Sequence, residues 1–294
     1  MSPLKPKTPT LRLFPSLAIS VAAALTVAGC AAPEQSDAPE AGTDAAADPA
    51  AAMSTATPTA ADASTLAHLL ADGQAVFGVF SGPTTAEQGA LMGQNRELDF
   101  VFYSLESGPF DIMSTKVYMS GVAEGSGTEA PHPLILRVPP ISNGVDAARA
   151  NVAEALDAGV AAIVFPHVES AEDAAVAVSV LGDELWPANP SGSLLSILIV
   201  EDRSGVERVD EIVATQGVSV VFAGPGDLRR SYEGDMEAVE AAIQTVLAAC
   251  QAHGVACGIT AGVDDIAERI EQGFRMFIVT EPAAVTVGRV AAGR

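Results

Sequence analysis

The sequence predicts an α/β protein whose eight parallel strands close into a (β/α)8 TIM barrel, and three observations carry that prediction. Short apolar runs rich in Val, Ile and Leu recur eight times after Thr65. They are nearly continuously apolar rather than alternating, as expected of parallel strands buried on both faces. Amphipathic stretches of helical period separate them, and that alternation over about 230 residues suits a barrel. A doubly wound open sheet is the alternative, but no glycine-rich nucleotide fingerprint follows the first run.

The runs expected to be strands are Ala75–Ser81, Asp99–Ser107, Pro133–Pro139 and Ala161–Val168, then Leu195–Glu201, Val218–Ala223, Ala256–Ala261 and Arg275–Thr280. Helices are expected between them, among others at Asp146–Ala158, Ser170–Leu181, Ser204–Ala214, Asp235–Ala252 and Asp264–Gln272. Ser170, three residues before Asp173, is a helix-start signal, and Gly159 and Gly254 mark helix ends.

Ahead of the barrel the chain changes character twice. Residues 1–29 carry Lys5, Lys7 and Arg12, then an apolar run from Leu17 to Val27, then Ala28-Gly29-Cys30. A basic start, a short apolar stretch and small residues describe a secretory signal. The apolar run is too short to span a bilayer comfortably. Its ending resembles a bacterial lipobox, which implies lipidation of Cys30 as the mature first residue. The alternative is a plain signal peptide with an incidental Cys. The expected product is exported and lipid-anchored to the bacterial cell envelope, with a periplasmic domain and no other membrane contact. Residues 30–64 read as a tether: from Ala31 to Ser64 there are 14 Ala, four Pro, six acids and no base. That composition offers too little apolar surface to offset ordering, and a random coil of this length spans about 30 Å. The barrel is therefore assigned to residues 65–294.

Charge and composition narrow the function. The 294 residues hold 15 Lys+Arg and 37 Asp+Glu, a net charge of −22. Removing residues 1–29 leaves 12 bases against the same 37 acids, a net charge of −25. A polyphosphate partner would be repelled, so nucleic acid is excluded as a ligand. Three cysteines are too few for a disulfide scaffold or a Cys-rich zinc site. Cys250 and Cys257 are close enough in sequence to pair in an oxidising compartment, or else are small core residues.

In such a barrel the chemistry sits where strands end and loops begin. The third run ends in Leu136-Arg137-Val138-Pro139, and an arginine there is costly to bury unless an anion meets it. The fifth ends in Val200-Glu201-Asp202, and the sixth leads into Gly224-Pro225-Gly226-Asp227-Leu228. Neighbouring strands would bring Glu201 and Asp227 together at the mouth, where two carboxylates and open positions suit Mg²⁺ or Mn²⁺. The Gly-Pro-Gly turn leaves backbone N–H groups free to face a bound carboxylate. Taken singly, Arg137 also reads as an ion-pair partner and Glu201 as a helix cap.

From about Ala75 to Thr280 the chain resembles the HpcH/HpaI aldolase and citrate lyase superfamily. The resemblance is carried by Asp99–Glu106, Leu134–Pro139, Leu156–Val168 and Ile197–Ser231, the last containing GVSVVFAGPGDLRRS, which is similar to the family's Gly-Pro-x-Asp-Leu signature. It implies a class II pyruvate aldolase, in which a divalent metal holds a 2-oxo acid and stabilises its enolate during reversible C–C cleavage against an aldehyde. Position by position, it implies Glu201 and Asp227 as metal ligands and Arg137 as the group that steadies the enolate oxygen. The amides of Gly226 and Asp227 would receive the substrate carboxylate. Asp157 would be the aspartate of a His–Asp pair, supplied in oligomers by a neighbouring subunit, or else a plain helix-end acid. Family members are commonly hexamers through exchange of the last helix. A homo-oligomer is therefore implied, although the brief last helix before Arg294 leaves that exchange open.

The resemblance breaks at one place that matters. The family's Asp-x-Glu-His after the second strand reads Ser104-Leu105-Glu106-Ser107 here. Serine has no pKa near neutrality, whereas a positioned general acid or base contributes about 10²–10⁴-fold. Ile199 also replaces a frequent glutamine, and the connection from Val168 to Leu195 is short and lacks the family's arginine-rich loop. The proton-transfer group is thus unassigned. His167 is the candidate if it faces the mouth, whereas His132 falls at the stability end and His68 precedes the barrel. Trp186, on the loop after the fourth helix, either covers a substrate or packs its loop down. Three functions follow: a metal-dependent aldolase or lyase, a catalytically impaired barrel that binds a 2-oxo acid or similar anion, and cleavage of a larger ester as in citrate-lyase-like relatives.

Overall fold

A computed structural model describes residues 60–294; the expected signal segment, Cys30 and the tether up to position 59 lie outside the described residues. The elements in order are α1 (Ala60–Ala71), β1 (Val76–Phe80), α2 (Ala86–Gln94), β2 (Phe100–Ser104), α3 (Ile112–Ser126), β3 (Leu134–Arg137) and α4 (Val145–Asp157). Then come β4 (Ala162–Phe165), α5 (Ala171–Ser179), β5 (Leu185–Trp186), β6 (Leu194–Val200), α6 (Arg203–Glu207), α7 (Val209–Val213) and β7 (Val220–Ala223). The chain continues through α8 (Pro225–Ser231), α9 (Met236–His253), β8 (Ala256–Thr260), α10 (Ile266–Gln272), β9 (Met276–Val279) and α11 (Pro282–Ala292). No helix among the described residues is long and apolar enough to cross a membrane.

All strand pairs are parallel, and β4 pairs directly with β6 while β1 pairs with β9, so eight strands close on themselves. The protein is the (β/α)8 barrel that the apolar runs predict. The two-residue strand β5 is an addition: it pairs only with the start of β6, opposite Leu194 and Leu195. Two further departures concern helices. The expected helix over Ser204–Ala214 is two short ones, α6 and α7, meeting at Arg208. Helix α1 begins at Ala60, inside the stretch expected to be tether.

Alternation along each strand divides the core into two layers. Inside the barrel, Val76, Phe100, Ile135, Val164, Ile197 and Phe222 form one cluster, which Leu66, Ala67 and Leu70 of α1 join from below. Helix α1 therefore stoppers the N-terminal end, and Trp186 packs on the same cluster. Trp186 thus packs its loop down at the N-terminal end of the barrel, away from the C-terminal strand ends. Two glycines fit the interior to its aromatic rings. A Cβ on Gly78 would stand 2.1 Å from the Phe100 ring, and one on Gly258 would stand 2.3 Å from Phe222. Outside the barrel, side chains such as Phe77, Phe165 and Val221 pack under the helices. Cys250 and Cys257 are free, buried thiols in this layer rather than a bridge.

Charges tie down the N-terminal end. Asp99 accepts the Phe77 amide (2.9 Å) and meets Arg289 (3.2 Å) and Arg294 (2.9 Å), fixing α11 against its own barrel. His132 bonds the Asn95 carbonyl through Nε2 at 2.9 Å.

Candidate active site

At the C-terminal end, four strands deliver polar side chains into the mouth. The register places Ser104 beside Arg137, and both lie on the inward-facing side of their strands. Arg137 Nε donates to Ser104 Oγ at 3.0 Å, and its guanidinium pairs with Glu106 Oε2 at 2.8 Å while lying over the Phe102 ring. Ser104 Oγ also accepts the Glu106 amide at 3.3 Å. The serine that replaces the family's aspartate thus orients the arginine. Arg137 Nη1 has no hydrogen-bond partner among the described residues.

Facing this pair is Glu201, whose side chain is only 3% exposed. Its carboxylate lies against Gly224, where a Cβ would come within 2.7 Å of Glu201 Cβ and Oε2, so only glycine permits the arrangement. Burial raises the Glu201 pKa, the largest influence, against the lowering effect of His167. The cap reading of Glu201 is excluded: the N-cap of α6 is Asp202. Asp202 in turn makes no side-chain cap bond, although aspartate is among the best cap residues. Its carboxylate is taken by His167, with Nδ1 to Oδ2 at 2.8 Å.

His167 does face the mouth. Strand alternation continued past Val164 would point it outward, but its backbone is left-handed (φ 52°), a conformation uncommon for a non-glycine residue. The turn brings its amide to Glu201 Oε1 at 3.1 Å and its Nε2 to 3.7 Å from Glu106 Oε1. Burial works against the imidazolium, yet Asp202, Glu201 and Glu106 outweigh it and the His167 pKa is raised.

Glu106, His167 and Glu201 each offer a ligand atom, all within 4.8 Å of one another. Glu106 Oε1 is buried and has no hydrogen-bond partner. Three carboxylates (Glu106, Glu201 and Asp202) converge on one guanidinium and one imidazole, leaving an excess of negative charge. An orphaned carboxylate oxygen in an acidic, part-buried cluster is the donor set that a divalent cation satisfies.

The other expected residues are placed differently. Asp227 stands in the first turn of α8, on the turn that begins at Gly224, and its carboxylate ion-pairs with Arg230 rather than joining the cluster. Gly226 is exposed, and a Cβ there would meet nothing within 4 Å, so its backbone borders open space. Asp157 ends α4 just before β4 begins, which puts it at the opposite end of the barrel from this chain's own cluster. Sequence reasoning gave no role to Glu106 or Asp202. The available signals were an acid near the end of the second expected run and another directly after the fifth.

Comparison with known proteins agrees with this geometry. A hydroxypyruvate/pyruvate aldolase of Paraburkholderia phytofirmans is 28% identical over 208 residues, 60% of this chain and 76% of that relative. A 5-keto-4-deoxy-D-glucarate aldolase of Salmonella paratyphi A is 29% identical over 217 residues, 66% of this chain and 79% of that one. Among solved structures, an HpcH/HpaI aldolase/citrate lyase family protein of Burkholderia cenocepacia superposes with a TM-score of 0.64 at 25% identity, covering 78% of this chain and 97% of that one. The HpcH/HpaI aldolase/citrate lyase model matches residues 123–279, more than half of the chain and all of the cluster except Ser104 and Glu106. The protein is thus a carbon–carbon lyase of aldolase type, and the chain belongs to the HpcH/HpaI aldolase/citrate lyase family.

Proposed function

We propose that this chain is a divalent-metal-dependent aldolase or lyase that makes or breaks a C–C bond of a 2-oxo acid such as pyruvate through its enolate. The observation that carries the reading is the opposition of Arg137, held by Ser104 and Glu106, to the buried Glu201 across the mouth. When bound, a divalent cation would be held at Glu201 and would polarise the 2-oxo group as a Lewis acid. Arg137 Nη1 is left to donate to the oxygen on which charge develops when the C–C electron pair enters the carbonyl. Electrostatic stabilisation of this kind is usually the largest catalytic contribution. Phe102 beneath the guanidinium and the apolar barrel interior exclude water and strengthen that contact. The exposed Gly226 backbone supplies a place for the substrate carboxylate. The family's motif also implies Asp227 as a cation ligand, but here its carboxylate is engaged by Arg230. A neighbouring subunit's copy of Asp157 would complete the site in an oligomer.

Ser104 and Ser107 supply no proton carrier at the end of β2, which favours slow turnover and makes binding without turnover the second reading. Exchange of deuterium into the methyl group of pyruvate distinguishes them, because it reports enolate formation without an aldehyde. With the full chain and Mn²⁺, exchange is expected and is lost in Arg137→Ala and Glu201→Ala. Pyruvate binding without exchange would leave the binding barrel. Neither binding nor exchange would abandon the 2-oxo acid altogether. Export and anchoring through Cys30, which we also propose, predict that Cys30→Ser moves the protein from the membrane to the soluble fraction.

A further inference from the structure

We propose that His167 is itself a ligand of the cation, making a Glu106–His167–Glu201 centre that takes Mn²⁺, Co²⁺ or Zn²⁺ in preference to Mg²⁺. The proposal rests on the metal-dependent reading above and names the donor set and metal class. Four features converge on it. Donor atoms around a bound cation at about 2.1 Å lie roughly 3–4 Å apart, and the three side chains already hold theirs within 4.8 Å from three separate loops. The Asp202 carboxylate can only accept, so Nδ1 carries a proton, and Nε2 is the nitrogen left to face a cation, which would displace any proton there. A carboxylate behind a histidine is the arrangement that fixes ring orientation and raises donor strength at metal centres. Nε2 stands 3.7 Å from Glu106 Oε1, too far for a hydrogen bond, and that oxygen has no other partner. Leaving a buried acceptor unpaired is unfavourable, and a shared cation removes that penalty.

The backbone is arranged to the same end. His167 keeps a left-handed conformation while its amide bonds Glu201, so the residue is locked to one proposed ligand through the main chain as it faces the cavity. Asp202 is diverted from capping α6 to hold the ring. Asp227, engaged by Arg230, lies outside this group. Imidazole nitrogen favours first-row transition metals, whereas Mg²⁺ prefers oxygen donors and retained water. A site built from two carboxylates alone would lack that bias.

The test uses the full chain loaded with Mn²⁺ and reads the electron spin echo for modulation by a directly bound nitrogen, with titration calorimetry for Mn²⁺, Co²⁺ and Mg²⁺. Nitrogen modulation is expected in the wild type and in Asp227→Asn, and its loss in His167→Gln. In His167→Gln the affinity for Co²⁺ and Mn²⁺ should fall about 10–100-fold, with little change for Mg²⁺. Asp202→Asn, which keeps the ring in place of a deletion, should weaken Co²⁺ about 10-fold. Mn²⁺ bound without nitrogen modulation, and lost in Glu201→Ala and Asp227→Asn, would overturn the proposal while the metal-dependent enzyme stands. No binding of any of the three cations to the wild type would overturn both.

Discussion

Gly224 shows how much of the site depends on one missing atom. Its added Cβ would occupy the space of Glu201 Cβ and Oε2, so Gly224→Ala should displace the carboxylate and reduce metal-dependent exchange at least about 10-fold. Pyruvate exchange set against the thermal melt separates displacement from unfolding; unchanged exchange would mean that Glu201 is not needed where it sits. Ser107 gives the converse experiment. It is exposed, one residue beyond Glu106, where the family resemblance implies a histidine. Ser107→His should raise the exchange rate toward the 10²–10⁴-fold typical of a positioned acid–base group, and no gain would show that the proton already has a carrier. Arg137 and Glu201 were legible in the sequence because a charged residue ending an apolar run has few explanations. His167 was legible only as a candidate, because alternation did not decide which way it faces and its left-handed backbone turns it to the mouth. Glu201 also read as a helix cap, but that position belongs to Asp202.

At the scale of elements, the strands were readable because both of their faces are buried, so their apolar runs leave little choice. Helix α1 was not: its start is rich in alanine and merges with the tether composition, and only Leu66 and Leu70 mark the face that plugs the barrel. Strand β5 is too short to leave a pattern. The pair α2 and α3 was expected only from the alternation and given no bounds, because glycine lowers helix propensity. Those glycines let the two backbones touch. A Cβ on Gly121 would lie 2.0 Å from the Ala86 carbonyl oxygen, and one on Gly89 would lie 2.3 Å from that of Tyr118. Propensity alone would make Gly121→Ala stabilising by about 1 kcal/mol. Against backbone atoms that cannot rotate away, it should instead destabilise by roughly 2–4 kcal/mol, read as a lower denaturant midpoint. A raised midpoint would mean that the helices separate at little cost.

For the whole molecule the governing quantity is charge against burial. With a net charge of −22, acidification relieves self-repulsion and by itself stabilises the fold. Glu201 acts in the same direction: its folded pKa is raised, so it favours the fold when protonated and loses that contribution as pH rises. His132 opposes both. Burial first, and then the Arg96 guanidinium, lower its pKa to about 4, against the smaller pull of the Asn95 carbonyl and Asp99. The unfolded chain therefore takes up this proton near pH 6.5, before the folded one does. Stability linked to His132 is complete above pH 6.5 and is lost as pH falls toward 4, by about 3 kcal/mol. His132→Gln retains a donor for the Asn95 carbonyl without a titrating ring, so denaturant unfolding measured between pH 7 and 4 should show a flatter decline than the wild type. The difference between the two profiles, free of the charge effects they share, is the His132 contribution; parallel profiles would place the acid sensitivity of the barrel in its carboxylates instead.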